Sequence, residues 1–272
     1  MKFIGIIPAR YASTRFPGKP LADLGGKPMI QRVYEQAKKV LETVIVATDD
    51  QRIYDCVRSF GGKVIMTSAN HTCGTDRVYE AYRIYATELQ NSYELLNHDT
   101  VVVNIQGDEP FIQPEQIQAL MDCFPTEIAT LVHPFGVNDT WNDLANPNYV
   151  KVAIARENTN SNDTIIGRAL YFSRSVIPYL RGVEQSEWTG QGQGQHYRHI
   201  GMYAYRADIL QKITQLEPSP LEKMESLEQL RWLERGLTIR VALTHQVSIG
   251  IDTPEDLQHA LQFLSAINGS ND

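Results

Sequence analysis

A short loop near the start of the chain carries three cationic side chains. Arg10, Arg15 and Lys19 follow an apolar stretch, and no carboxylate occurs between Lys2 and Asp23. Arginine offers a planar fork of donors that suits phosphate oxygens, and lysine adds a compact positive charge. The loop matches neither the GxxxxGK[ST] phosphate loop nor the GxGxxG dinucleotide pattern. The sequence therefore favours an anion site of a different kind, with a solvated basic loop as the alternative.

Two acidic turns supply carboxylates that suit a hard cation. Asp108 and Glu109 lie between Gly107 and Pro110, directly after an apolar run, and Asp252 precedes a helix-start pattern. Mg²⁺ prefers one or two carboxylates completed by phosphate oxygens and water. The alternatives are an ordinary turn residue at Asp108 and a residue at Asp252 that only interacts with the helix dipole.

Charge and cysteine content limit the kinds of partner. The 272 residues carry a formal net charge of -7, which argues against a general nucleic-acid or membrane-surface binder. The three cysteines form no CxxC pair and fit free thiols in a reducing compartment. The apolar stretch 3–8 is too short for a signal segment, and no apolar run reaches membrane-spanning length. We expect a cytoplasmic protein that binds neither nucleic acid nor membrane.

The first half alternates strand and helix patterns. Apolar runs at 3–7, 44–47, 64–66 and 101–105 predict four strands, and segments of helical periodicity separate them. Such a rhythm predicts an α/β fold with a mostly parallel sheet covered by helices. Ligands of such sheets bind beyond the carboxyl ends of the strands, where the basic loop and the first acidic turn lie.

The second half has a less regular pattern. Runs at 150–155, 169–172 and 239–243 predict strands, and apolar residues between 221 and 230 predict one helix. Thr253 and Pro254 are typical of the start of a last helix. No internal repeat and no long linker is present, so a single domain over 1–272 is predicted.

The motifs, taken in order, resemble those of the 3-deoxy-manno-octulosonate cytidylyltransferase (CMP-Kdo synthetase) family. The similarity runs from residue 3 to about residue 265. A single motif would be weak, but the ordered set is specific. The segments that carry it are 7–10, 13–15, 17–21, 74–77, 104–110, 171–174, 199–201, 218–222 and 252–256.

This resemblance implies a Rossmann-like nucleotidyltransferase fold with a smaller sugar-binding and dimerisation lobe. The nucleotide half would span about 1–135 and the sugar half about 136–272. It implies transfer of CMP from CTP to 3-deoxy-D-manno-octulosonate (Kdo) for lipopolysaccharide biosynthesis, with Mg²⁺ as cofactor, in a homodimer. One alternative is a related cytidylyltransferase acting on another keto-sugar acid. Another is a non-catalytic nucleotide-binding protein, which has little need for two converging carboxylates.

The resemblance also implies roles for individual residues. Those of the triphosphate and nucleotide site are Ala9, Arg10, Ser13, Arg15, Lys19, Arg77 and Asp108, of which Arg10, Arg15 and Lys19 are catalytic. Those of the Kdo pocket are Gln106, Arg174, His199, Tyr203, Glu228 and Gln229. The metal ligands are Asp108 and Asp252. We predict that these two carboxylates meet and share one Mg²⁺.

Several of these residues have a purely structural alternative. His199 could be a hydrogen-bonded buried histidine, Tyr203 a core residue, and Arg174 a cap of a following helix. Three glutamates spaced three apart could form one solvated helix face; they are Glu222, Glu225 and Glu228.

Cys73 departs from the family pattern, which has serine at this position. A thiol is a poorer hydrogen-bond donor than a hydroxyl. A contact of this side chain with the nucleotide base is therefore in doubt.

Overall fold

The chain passes from one folding unit to a second and then returns to the first. A computed structural model gives a first unit of Met1–Ile117 with Ser248–Asp272, and a second unit of Gln118–Val247. The division expected near residue 135 therefore falls inside the second unit. Among the helices of the described residues, none combines the length and apolar character needed to cross a membrane. The structure describes residues 1–12, 16–71, 73–88, 98–136, 138–157, 164–189, 196–246 and 250–269.

The first unit is built on four parallel strands. They lie in the order β3-β2-β1-β4 and are joined by parallel ladders. Their continuous apolar runs are buried, as is usual for parallel strands covered by helices. The sequence prediction of a parallel sheet is confirmed for this unit. The strands are β1 (Lys2–Ala9), β2 (Thr43–Thr48), β3 (Lys63–Met66) and β4 (Thr100–Asn104).

Local capping sets the ends of the helices in this unit. The Asp50 carboxylate accepts a hydrogen bond from the Arg52 amide at 2.9 Å, and Gly61 follows the same helix with a φ of 77°. The Thr253 hydroxyl accepts from the Asp256 amide at 3.2 Å and begins the last helix. The helix start predicted at Thr253 is confirmed. The helices are α1 (Met29–Ala37), α2 (Gln51–Ser59), α3 (Gly74–Glu88), α4 (Pro114–Asp122), which contains the change to the second unit, and α9 (Pro254–Gly269).

The second unit has a mainly antiparallel sheet. Its strands lie in the order β8-β5-β9-β7-β6, and β6 also pairs with β8 through Lys151 and Arg198. Among the strand pairs described in this unit, only β5–β9 is parallel. The parallel arrangement predicted from the first half does not extend to this unit, where β7 alternates buried and exposed residues as half-buried antiparallel strands do. The strands are β5 (Ile128–Pro134), β6 (Lys151–Arg156), β7 (Ile165–Ser173), β8 (Tyr197–Arg206) and β9 (Ile239–Leu243).

The helix predicted around residues 221–230 is divided in two. Ser226 has a φ of 52°, a left-handed conformation that ends the first piece. Met224, expected on the apolar face, is 80% exposed. The prediction of one continuous helix is therefore wrong. The helices of this unit are α5 (Trp141–Ala145), α6 (Ala207–Thr214), α7 (Pro220–Glu225) and α8 (Gln229–Glu234).

Candidate active site

The first unit has a polar cavity of about 290 Å³. It lies where β1 and β4 end and where α3 and α9 begin, the edge at which a parallel sheet binds its ligands. The cavity is lined by Pro8, Ala9, Arg10, Lys19, Pro20, His71, Cys73, Gly74, Arg77, Gln106, Gly107, Asp108 and Asp252.

An ion triad lies in this cavity. The Lys19 ammonium donates to Oδ2 of Asp108 at 2.7 Å and to Oδ1 of Asp252 at 3.1 Å. The lysine side chain is 13% exposed, and the two carboxylate side chains are 33% and 47% exposed. The predicted meeting of the two acidic turns is therefore confirmed. The cation that they share in this structure is Lys19.

The backbone around Lys19 is fixed by a tight turn. The Gly18 amide donates to the Tyr11 carbonyl at 2.9 Å, and the Leu21 amide donates to the Gly18 carbonyl at 2.8 Å. Gly18 has a φ of 73°, and a Cβ there would meet the Tyr11 ring at 3.0 Å. The Arg52 guanidinium stacks over the same ring at 3.3 Å. Glycine is therefore required at the position directly before the lysine.

The two aspartates present oxygen ligands that fit a magnesium ion. They already converge on one cation, and both are partly exposed to the cavity. Mg²⁺ commonly takes one or two carboxylates and completes its shell with phosphate and water. In the described part of the chain, no cluster of three or more histidine, cysteine or acidic side chains could hold a metal alone. The donor set thus fits a metal whose remaining ligands are not side chains.

Arg77 is a buried residue in the wall of the cavity, and its side chain links neighbouring loops. Its side chain is 4% exposed, and it donates to the Asp49 carboxylate at 2.7 Å and to the Thr67 hydroxyl at 2.6 Å. These contacts join the ends of β2 and β3 to helix α3. A nucleotide contact by Arg77 stays a prediction, because two of its donors already hold these neighbouring loops.

The start of α3 adds residues whose roles the sequence did not predict. The Cys73 sulfur accepts the Asp76 amide at 3.4 Å, so the thiol occupies a helix-capping position. His71 pairs with Glu80 at 2.5 Å, and Glu80 also accepts the Ser68 amide at 2.7 Å. Burial alone would raise the pKa of Glu80, but the hydrogen bonds from Ser68 and His71 outweigh it and lower the pKa. His71 lies two residues before Cys73, so the family motif around Cys73 was the sequence feature that could have pointed to it.

In the second unit, Arg174 holds main-chain carbonyl groups. Its guanidinium donates to the carbonyl oxygens of Glu225 at 2.7 Å, Pro147 at 3.0 Å and Ser226 at 3.3 Å. Its own amide donates to the Glu225 carboxylate at 2.9 Å. The chain directly after Arg174 forms bends and no helix, so the helix-cap interpretation is wrong. Arg174 therefore fixes local structure, and a substrate contact stays a prediction.

His199 and Tyr203 lie together in β8. The His199 ring nitrogen Nε2 is 3.0 Å from the Thr130 hydroxyl, and its ring centroid is 5.3 Å from that of Tyr203. Burial lowers the pKa of His199 to about 3, so the imidazole is neutral at neutral pH. Burial also raises the pKa of Tyr203, which contacts the Trp232 ring edge-on. The structure thus agrees with the alternatives of a hydrogen-bonded buried histidine at 199 and a core residue at 203. A contact of either residue with a sugar stays a prediction.

Arg231 links two glutamates on either side of the helix break. It donates to Glu222 at 3.0 Å and to Glu228 at 3.2 Å. Glu225 accepts the Ser173 hydroxyl at 2.6 Å. The three glutamates therefore do not form one solvated helix face, because the backbone turns at Ser226 and each carboxylate has a partner. Gln229, the first residue of α8, is 6% exposed.

The predicted residues thus fall into two sets. The first unit brings six of them to its cavity together with Gln106, whereas Ser13 and Arg15 lie outside the described residues. The other five predicted sugar residues all belong to the second unit. The set at the cavity is Ala9, Arg10, Lys19, Arg77, Asp108 and Asp252, and the set in the second unit is Arg174, His199, Tyr203, Glu228 and Gln229.

Comparison with known proteins gives full-length similarities. The cytidylyltransferase family model matches residues 4–239. The chain is 57% identical over 269 residues to the 3-deoxy-manno-octulosonate cytidylyltransferase of Parabacteroides distasonis, covering 97% of this chain and 99% of the relative. It is 56% identical over 272 residues to that of Phocaeicola vulgatus, covering 99% and 100%. A solved structure of CMP-2-keto-3-deoxy-manno-octonic acid synthetase complexed with CTP has a TM-score of 0.80 at 38% identity, covering 98% and 99%.

Proposed function

Because the chain belongs to the 3-deoxy-manno-octulosonate cytidylyltransferase family, we propose that it transfers CMP from CTP to Kdo and releases diphosphate. The observation that supports this most directly is the ion triad at the cavity. A nucleotidyltransferase needs cations for a triphosphate and carboxylates for a metal, and both occur within one hydrogen-bonded group. The product, CMP-Kdo, would serve lipopolysaccharide biosynthesis.

The basic loop would bind the triphosphate. Arg10 is exposed on the cavity wall directly after β1, and Lys19 lies deeper in the same cavity. The anomeric hydroxyl of the sugar attacks the α-phosphorus, and the bond to the diphosphate breaks. Negative charge then grows on the phosphoryl oxygens and the leaving diphosphate, where fixed cations stabilise the transition state most. Arg15 would act in the same way from the same loop.

Asp108 and Asp252 would hold the magnesium ion. When bound, the metal neutralises phosphate charge and orients the phosphate oxygens. The protein's own task is to aim two oxygen ligands at one point. In the turn of Asp108, Gly107 allows close backbone packing, because a Cβ there would lie 3.0 Å from the Pro8 carbonyl oxygen. In the turn of Asp252, the Asp256 carboxylate holds the backbone by accepting the Asp252 amide at 3.0 Å.

The sugar acid would be recognised by polar groups of the second unit. A carboxylate suits the guanidinium of Arg174, and hydroxyls suit Glu228 and Gln229. Neutral His199 would exchange hydrogen bonds with a hydroxyl rather than form an ion pair. The finer features that the family suggests belong to this proposal: a Rossmann-like single domain, a homodimer and a cytoplasmic location, where CTP is available.

A diphosphate-release assay tests the proposal. Purified protein with Mg²⁺ is offered CTP, UTP, ATP or GTP in combination with Kdo and a panel of related keto-sugar acids. We expect diphosphate release with CTP and Kdo, and far less with ATP or GTP. Equal turnover with GTP would remove the cytidylyl assignment. Preference for another keto-sugar acid would identify a related cytidylyltransferase instead.

A further inference from the structure

The Lys19 ammonium lies between the two carboxylates that a metal ion would need. We propose that Lys19 is an intramolecular counter-ion which competes with the metal, and that the triphosphate removes it from the carboxylates. Nucleotide binding would thereby increase the protein's affinity for the metal. This inference rests on the proposed function, since it concerns the same site.

The contacts explain why the lysine and the metal compete. The ammonium makes charge-assisted hydrogen bonds of 2.7 Å to Asp108 and 3.1 Å to Asp252. A metal ion bound by both carboxylates would be held by the same two negative charges that hold the ammonium. It would also lie close to the lysine's positive charge, which repels it. One cation must therefore leave when the other binds.

The exchange needs motion of only one side chain. The backbone on both sides of Lys19 is held by the turn at Gly18 and its hydrogen bond to Tyr11. A lysine side chain has a flexible four-carbon stem and three rotatable donors. Two of those donors face the aspartates, so the ammonium can turn toward a phosphate without any change in the fold.

The triphosphate supplies the force that moves the lysine. Its negative charge attracts the ammonium, and the two carboxylates then lose their hydrogen bonds to Lys19. Their mutual repulsion favours uptake of a divalent cation. Because binding free energies are reciprocal, the metal must increase nucleotide affinity by the same factor.

Metal binding without nucleotide tests the inference. Mn²⁺ affinity is measured by electron paramagnetic resonance for wild type, Lys19→Met and Arg10→Met. Arg10 lies on the same cavity, so its variant removes a nearby charge but leaves the ion triad in place. We expect Lys19→Met to bind Mn²⁺ roughly 5- to 50-fold more tightly than wild type, as loss of two charge-assisted bonds implies. Arg10→Met should change the affinity by about twofold, the size of a screened charge.

Equal tightening in Lys19→Met and Arg10→Met would overturn the inference, because general charge would then explain both. Asp252→Asn added to Lys19→Met should abolish the gain, and retention of the gain would also contradict it. If a variant fails to fold, a measurement on the wild-type protein still tests the inference. Saturating Mg²⁺ must shift the Lys19 side-chain NMR signal, and an unshifted signal rejects the exchange. No substrate turns over in these experiments, so their failure is separate from failure of the diphosphate-release assay.

Discussion

The Ile251 amide donates a hydrogen bond to the Asp108 carbonyl oxygen at 3.0 Å. This contact joins the turn after β4 to the turn that begins α9. Ile251 is fully buried, whereas the neighbouring Asp252 directs its carboxylate toward Lys19. Backbone pairing therefore fixes the distance between the two acidic turns without using either carboxylate.

We predict that Asp108→Asn and Asp252→Asn each remove most activity and leave the fold intact. Each side chain is partly exposed, and the backbone contact through Ile251 does not depend on either carboxylate. The variants are compared by diphosphate release at a series of Mg²⁺ concentrations and by thermal unfolding. Unchanged turnover and Mg²⁺ dependence in Asp252→Asn would reduce Asp252 to a helix-start residue.

The double variant should be little worse than either single variant. Groups that act through one metal ion lose their effect together, so their contributions are not additive. Additive losses in kcat would show instead that the two aspartates act independently. Asp256→Asn is a useful comparison, since Asp256 supports the Asp252 amide through a hydrogen bond of 3.0 Å but is not a predicted ligand.

Lys19→Ala should lower kcat more than it raises KM for CTP. A fixed cation stabilises the charge that grows on the phosphoryl oxygens and the diphosphate, and removal of one such group typically costs about 10²–10³ in rate. Steady-state kinetics at saturating CTP measures this effect. A near-normal kcat would show that Lys19 does not stabilise the transition state and acts only as a counter-ion of the two aspartates. Lys27→Ala is the matched control, because Lys27 pairs with Glu35 at 2.7 Å outside the cavity.

The stability of the protein should fall as the pH falls from about 6.5 toward 3, with His199 as one cause. Burial lowers the folded-state pKa of His199 from 6.5 to about 3, so over this interval the unfolded chain binds a proton that the folded chain does not. The stability contributed by the neutral, buried His199 is fully present above pH 6.5. Below pH 6.5 the free energy of unfolding declines by up to about 1.4 kcal/mol per pH unit. Chemical denaturation at several pH values measures the slope.

His199→Gln should flatten this slope, because glutamine can still exchange a hydrogen bond with Thr130 but does not titrate. The control is His259→Gln, the same substitution at an exposed histidine of α9. Burial also lowers the pKa of His133, so part of the slope should remain. A slope that is identical in wild type and His199→Gln would contradict the assignment.

Local signals allowed much of the first unit to be predicted. The cap at Thr253 depends on a side chain close in sequence to the amide it accepts, and the four parallel strands are continuous apolar runs. The bridging position of Lys19 could not be predicted. Its partners are 89 and 233 residues away, and spacing does not show which cation lies between two carboxylates.

The second unit was harder to predict because its determinants are backbone groups. The helix periodicity of residues 221–230 continues through Ser226, although the backbone there turns left-handed. The described partners of the Arg174 guanidinium are three carbonyl oxygens, which every residue has and which leave no trace in the sequence. Family resemblance identified Arg174 as a site residue but gave no indication of this structural role.

Arg174→Ala should therefore reduce both stability and sugar binding. Its guanidinium holds the carbonyls of Pro147, Glu225 and Ser226, and hydrogen bonds from a charged donor contribute about 1.5–3 kcal/mol each before losses to solvent. We expect the free energy of unfolding to fall by about 2–3 kcal/mol. Affinity for Kdo should fall as well, with CTP binding nearly intact, when each ligand is titrated separately below the melting range. Arg168→Ala is the control, because Arg168 is exposed on β7. Lost stability with unchanged Kdo affinity would leave Arg174 as a structural residue alone, and lost CTP affinity would move it out of the sugar pocket.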